Sequence, residues 1–256
     1  MNGAGVHEAP APEAPSKWRW RLAVAFVAAL FCLAAAPDEG RADLLDGGFE
    51  NGFDGWNFDG VGDALPTITQ NVVHSGKGAA KFVLTGSQGR SELILDHGAG
   101  TLELGEGAQR WFGFSFRLGS MQWGRPGAHN LFSQFHSDGE GSPNFALSLW
   151  DYQGRKGLWS HGKTMGGDRF LAKIYRRKWN DVLISFRASR LGQGYYRLFL
   201  NGELVDERKR ASLIRRDRSI MYIKVGLYRN GGQIPGLSEV YIDNARLGGT
   251  RRQVRP

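Results

Sequence analysis

The chain has 256 residues, 23% of them charged and 41% hydrophobic, with a formal net charge of +8. Those fractions exclude a disordered chain and a membrane bundle. A chain of this size can bury about 70% of the surface it exposes when unfolded, so stability needs neither a metal nor a disulfide. The one cysteine can build neither an internal disulfide nor a cysteine zinc site.

Residues 1–16 are rich in Ala, Pro, Gly and Glu and show no periodicity. Lys17, Arg19 and Arg21, interleaved with Trp18 and Trp20, then precede an apolar run from Leu22 to Ala36. That is the layout of a secretory signal peptide. At 1.5 Å per residue the run spans about 22 Å, short of the roughly 30 Å hydrocarbon core, which disfavours an uncleaved anchor. Cleavage after Ala42, leaving Asp43 first, is preferred to cleavage after Ala36, which would leave Pro37 first. Bulky Phe31 before Cys32 argues against acylation, so Cys32 leaves with the leader. The organisation expected is a signal peptide and N-terminal extension over 1–42, one domain over 43–249 and a basic, frayed tail over 250–256. The leader carries as many acids as bases, so the mature chain keeps the whole excess of cations. A basic exported protein, free of stable membrane association once cleaved, suits an acidic partner, although the charge could equally reflect solubility alone.

After Asp43 come short strands. Glycine numbers 37 and proline 9, which suits many tight turns. Phe82–Thr85, Trp111–Leu118, Asn130–His136, Phe145–Trp150, Asp181–Ala188 and Tyr195–Leu200 are rich in β-branched and aromatic residues. Phe112, Phe114 and Phe116 alternate with small or polar residues, and Val182, Ile184 and Phe186 form a second alternating set. Period two with one apolar face is a half-buried strand. Asn201-Gly202 reads as a type I′ hairpin turn. Arg208–Arg218 has room for one helical turn. The Leu44–Glu50 and Val240–Gly248 segments are expected to lie together, as in sugar-binding jelly rolls. The fold class is therefore all-β, a jelly-roll sandwich of two antiparallel sheets of the concanavalin-like kind.

Three strands concentrate polar residues on one face. Arg90 and Glu92 share a face, with Leu93 on the other. Gln134 and His136 share one opposite Phe135. Tyr222, Lys224, Gly226 and Tyr228 share one opposite Ile223, Val225 and Leu227. Gly226 has no side chain, so a ligand could approach the backbone there. Taken singly, each motif has a plainer reading: a surface ion pair, a structural histidine, solvated cross-strand decoration.

Together, Arg90-Ser91-Glu92-Leu93, Gln134-Phe135-His136 and Tyr222-Ile223-Lys224-Val225-Gly226-Leu227-Tyr228 resemble, in the same order, the motifs of the jelly-roll polysaccharide lyases. The flanks Trp111–Phe116, Trp179–Val182 and Lys224–Arg229 are similar to the glucuronan and heparin lyase-like branch. Ile94 stands where alginate lyases carry a second arginine, and Phe135 replaces a β-branched residue. The resemblance covers roughly Ser75 to Gly248. It implies an enzyme that cleaves an anionic, uronic-acid-containing polysaccharide by β-elimination; with the leader, the expectation is an exported protein, and a monomer. Such a reaction needs the substrate carboxylate neutralised, a base for the C5 proton and an acid for the leaving oxygen. Gln134 and Arg90 fit the first task, and His136 or Tyr228 the base, with Tyr228 the natural acid. Lys224, Glu92, Tyr222 and Arg229 are expected to contact substrate, Glu92 chiefly by orienting Arg90.

No cofactor is expected. His129 and His136 are seven apart, so on one regular strand they face opposite sides, and no metal motif occurs. Asp243 could contribute to a small structural calcium site, as in related sandwiches. A laminarinase-type hydrolase would need paired acids; Glu92 and Asp96 are the nearest pair and lack a third. The serious alternative is a non-catalytic, lectin-like protein, with Trp123, Trp150 and Trp159 stacking on sugars. Arg208, Lys209, Arg210, Arg215, Arg216 and Arg218 lack any recognised nucleic-acid motif, so no nucleic-acid partner is expected.

Overall fold

The computed structural model describes residues 45–59, 64–95, 102–139, 141–162 and 166–256. The leader, its cleavage point and Asp96 lie outside them. One antiparallel sheet runs in the order β14 (Glu203–Ala211), β13 (Gly194–Leu200), β12 (Trp179–Arg187), β7 (Gln109–Leu118), β16 (Ser238–Gly248), β4 (Ala79–Leu84) and β3 (Thr67–Thr69). β1 (Leu45–Gly47) also pairs with β16, with Leu45 opposite Leu247, so the two ends of the domain meet. The second sheet runs β11 (Arg169–Ala172), β10 (Arg155–His161), β9 (Phe145–Tyr152), β8 (Asn130–Ser137), β15 (Ile220–Arg229), β5 (Arg90–Leu95) and β2 (Trp56–Asp59). β6 (Leu104–Gly105) pairs with β15. This is the jelly-roll sandwich that the strand pattern implies.

The alternating residues meet between the sheets. Phe112, Phe114 and Phe116 of β7 are fully buried, as are Val182, Ile184 and Phe186 of β12. Phe132 of β8 packs on Phe116 at 4.8 Å and Phe114 at 6.0 Å, and Phe135 on Phe112 at 6.5 Å. Each such side chain contributes about 1.5–3 kcal/mol by leaving water. At the sheet edges, Asp206 of β14 accepts hydrogen bonds from Ser160 of β10 (2.9 Å), Arg169 of β11 (2.9 Å) and Tyr196 of β13 (2.8 Å), tying one sheet to the other.

The Asn201-Gly202 turn has φ of 52° and 89°, and Leu200 faces Glu203, as a type I′ hairpin requires. Two expectations are corrected. Arg208 to Ala211 continue β14, and no helical turn follows before β15. The tail is not frayed: Arg251–Val254 form a helical turn, α1, with Val254 fully buried. Gly113 makes room for it, since a Cβ there would come within 2.1 Å of the Val254 carbonyl oxygen. Among the described residues, no helix is long and apolar enough to cross a membrane.

Candidate active site

β5, β15 and β8 are neighbours, and their register brings the three motifs together. Tyr222 stands opposite His136 and Lys224 opposite Gln134. On the other side of β15, Tyr228 stands opposite Arg90 and Gly226 opposite Glu92. Leu93, Phe135, Ile223, Val225 and Leu227 point into the core and are fully buried. The polar members therefore gather on the outer face of the second sheet. Arg90, Gln134, His136, Lys224 and Tyr228 all line one cleft of about 490 Å³.

The charges in this cleft are organised by acids. Asp59, at the end of β2, accepts from Arg90 Nη1 at 2.6 Å and from Lys224 Nζ through the same oxygen, Oδ2. Glu92 is fully buried, accepts the Nε2–H of Gln134 at 2.5 Å and lies 3.6 Å from Arg90 Nε. Burial pushes the Glu92 carboxyl up to about 7, against the opposing pull of Lys224 and Arg90. Glu92 thus positions Gln134 and Arg90 from beneath, and is not a surface for substrate.

The Arg90 guanidinium lies 4.4 Å from the centre of the Tyr228 ring. His136 is held on both nitrogens. Nδ1 lies 2.6 Å from the Ser137 carbonyl and 3.1 Å from the Tyr222 hydroxyl, and Nε2 lies 2.9 Å from the Gly141 carbonyl. Burial lowers its pKa, and the two carbonyls act in the opposite sense. Burial, followed by the Asp59 charge, pushes the Tyr222 hydroxyl up to about 12, so it stays protonated.

Arg229 is placed elsewhere. Its side chain is buried and donates to the carbonyls of Gly86, Gln88 and Gly236 and to the Ser238 hydroxyl. Its odd position on β15 turns it from the cleft, and it serves to fasten loops. Gly226 also has a different reason from ligand approach. Its φ is +132°, and a Cβ would come within 2.3 Å of the Ser91 carbonyl oxygen. The backbone itself requires glycine there.

Three functional candidates escaped the sequence reading: Asp59, His129 and His161. The alternation rule placed His129 on the wrong face, because β8 is irregular. Leu131 pairs with Ser148 and Ser133 with Leu147, an extra residue on β8. Parity flips across it, so Phe132 and Phe135 both enter the core although three apart. His129, on the near side, joins Gln134 and His136 in the cleft. Two phenylalanines at a spacing of three within a strand were the available signal.

Trp150 and Trp159 are buried at 2% and 3% exposure and pack on each other at 5.9 Å, so neither offers an open stacking face. Trp123 is partly buried against the core. Asp243, named for calcium, accepts backbone N–H bonds from His74 (2.8 Å), Ser75 (3.1 Å) and Asn244 (2.7 Å), which pins the 74–75 loop to β16. Among the described residues, no group of three His, Cys, Asp or Glu side chains stands together to hold a metal.

No curated protein matches significantly. An endo-β-1,4-glucuronan lyase from the fungus Trichoderma reesei has a TM-score of 0.64 at 22% identity, over 84% of this chain and 99% of that one. The alginate lyase AlyA1 from Zobellia galactanivorans has a TM-score of 0.51 at 16% identity, over 68% of this chain and 78% of that one. The cellulose-induced protein Cip1 gives 0.56 at 17% identity, over 80% and 97%. These likenesses show the same fold. A family model described as polysaccharide lyase matches residues 50–246, nearly the whole described domain, and the chain belongs to that family of enzymes.

Proposed function

We propose that this polysaccharide lyase is exported and cleaves a uronic-acid glycan by β-elimination. The observation that carries the reading is the gathering of Arg90, Gln134, His136, Lys224 and Tyr228 on one cleft. The C5–H bond of a uronate is too weakly acidic while the adjacent carboxylate is fully charged. Arg90 and Lys224 bring positive charge to that carboxylate, and Gln134 has a second amide N–H beyond the one given to Glu92. Charge that develops on the carboxylate as the proton leaves is then stabilised.

Tyr228 carries the proton. As phenolate it takes the hydrogen from C5; the C4–O bond breaks, a C4=C5 double bond forms, and the phenol returns the proton to the leaving oxygen. His136 is read as a clamp. With both nitrogens against carbonyl oxygens, the one basic lone pair of the neutral ring faces the protein and is not presented to a sugar. The similar structures include enzymes named for glucuronan and for alginate, both uronate polymers, which supports this substrate class. The basic flank and apolar run of the first 42 residues support export.

Purified protein incubated with a series of uronic-acid polymers should raise ultraviolet absorbance as unsaturated ends form. Silence on every uronate, with cleavage of a neutral glycan, would overturn the substrate class. Secreted material should begin near Asp43 by mass; retention of the full chain in the membrane would overturn cleavage.

A further inference from the structure

Part of the cleft wall is histidine. His129 and His161 line it together with Tyr228. The His129 ring lies 4.9 Å from that of Tyr228, and the His161 ring rests 4.7 Å from Trp150. In both imidazoles Nε2 is buried and without a partner, which leaves Nδ1 as the nitrogen able to meet a ligand. Protonation would place an N–H on that sealed, partnerless side. Burial accordingly lowers the pKa of both rings, that of His161 to about 4 with added repulsion from His129. Both are neutral near pH 7.

Among the described residues, the cations lining the cleft are Arg90 and Lys224, and Asp59 bridges the two. Arg215, whose guanidinium lies against Gly141, pairs with Asp217. Asp168 adds a carboxyl to the cleft wall. The uronate carboxylate is thus provided for, and among the described residues no further cation lines the cleft for a second anion. A sulfate ester would give up water to meet two neutral rings and an acid. A sugar hydroxyl both donates and accepts, so it matches either tautomer of a neutral histidine.

We propose that His129 and His161 form a neutral wall that recognises sugar hydroxyls beside the reacting uronate, so that the cleft takes unsulfated chains. This rests on the uronate reading above and narrows it. The test uses the best-cleaved uronate polymer and the same polymer chemically sulfated. Wild-type enzyme should favour the unsulfated chain by roughly tenfold or more in kcat/KM. His161→Phe keeps the ring and removes the nitrogens; it should raise KM about fivefold while kcat changes less than twofold. His161→Asn returns an amide near the Nδ1 position and should restore most of the loss. His129→Phe should behave as His161→Phe does. Equal cleavage of both polymers, or unchanged KM in both folded phenylalanine variants, overturns the inference and leaves the uronate reading standing. Silence of the wild type on every uronate overturns that reading and this inference with it.

Discussion

Gln134 donates its Nε2–H to Oε1 of Glu92 at 2.5 Å, although the two residues start from strands on opposite sides of β15. The bond fixes the amide that would meet a substrate carboxylate, and it is made to a group with no exposure to water. Burial raises the Glu92 pKa from 4.5 to about 7, more than Lys224 and Arg90 lower it. Between those values the folded protein binds a proton that the unfolded chain has lost. Stability attributable to Glu92 therefore falls as pH rises through that window, by an amount on the order of 3 kcal/mol. Glu92→Gln removes the titration and keeps an acceptor for Gln134. Urea unfolding from pH 5 to 8 should show a flatter stability profile for the variant than for wild type. Parallel profiles would place the titration elsewhere.

Asp59 meets Arg90 and Lys224 through one carboxylate oxygen and so bridges the two cations. Lys224 is only 5% exposed, so its charge has little water to fall back on. Asp59→Ala should lower stability by roughly 2–3 kcal/mol, below the range for a fully buried pair because Asp59 is partly open and Glu92 remains. Asp59→Asn should recover part of that. Chemical denaturation at pH 7 measures both, and a loss below about 0.5 kcal/mol, the scale of an exposed pair, would contradict the bridge.

The strands and the shared polar face were legible because both follow from period two. Phe112, Phe114 and Phe116 announce a core face, and Lys224 with Tyr228 announces the opposite one. What alternation cannot carry is a break in itself. The extra residue on β8 moved His129 into the cleft, and the distortion at Gly226 is a backbone matter that no side-chain pattern records. Asp59 was invisible for another reason. It reaches Arg90 and Lys224 only because β2 lies beside β5, a pairing set by tertiary packing over 31 and 165 residues of separation. Arg229 was grouped with its neighbour Tyr228, yet adjacent strand residues point to opposite faces. The tail looked frayed from its charge, while Val254, its one apolar anchor, is what docks it.

That docking has a measurable consequence. The Val254 carbonyl sits over Gly113, and its fully buried side chain packs near Gly248. Removing residues 250–256 should cost about 1.5–3 kcal/mol, the value of one buried aliphatic side chain. Val254→Ala in the intact chain should reproduce at least half of it, by thermal or urea unfolding. A truncated protein as stable as the full one would mean the turn merely rests on the surface.

Tyr228→Phe tests the proposed role of Tyr228 as proton carrier. The substitution removes one oxygen, leaves the ring beneath Arg90 and against His129, and should not disturb folding. Without the hydroxyl, neither removal of the C5 proton nor donation to the leaving oxygen has a carrier, and turnover should fall by roughly 10²–10⁴-fold with KM little changed. His136→Asn makes the contrast. That ring is held by Ser137, Tyr222 and Gly141, and an asparagine can keep only part of the clamp. Its loss should therefore include stability as well as rate, and the shape of the pH–rate profile should survive. If His136 were the base, the profile would instead lose its acid limb in His136→Asn, and a folded Tyr228→Phe enzyme would retain most of its kcat. Measuring both profiles on one uronate polymer decides between the two residues.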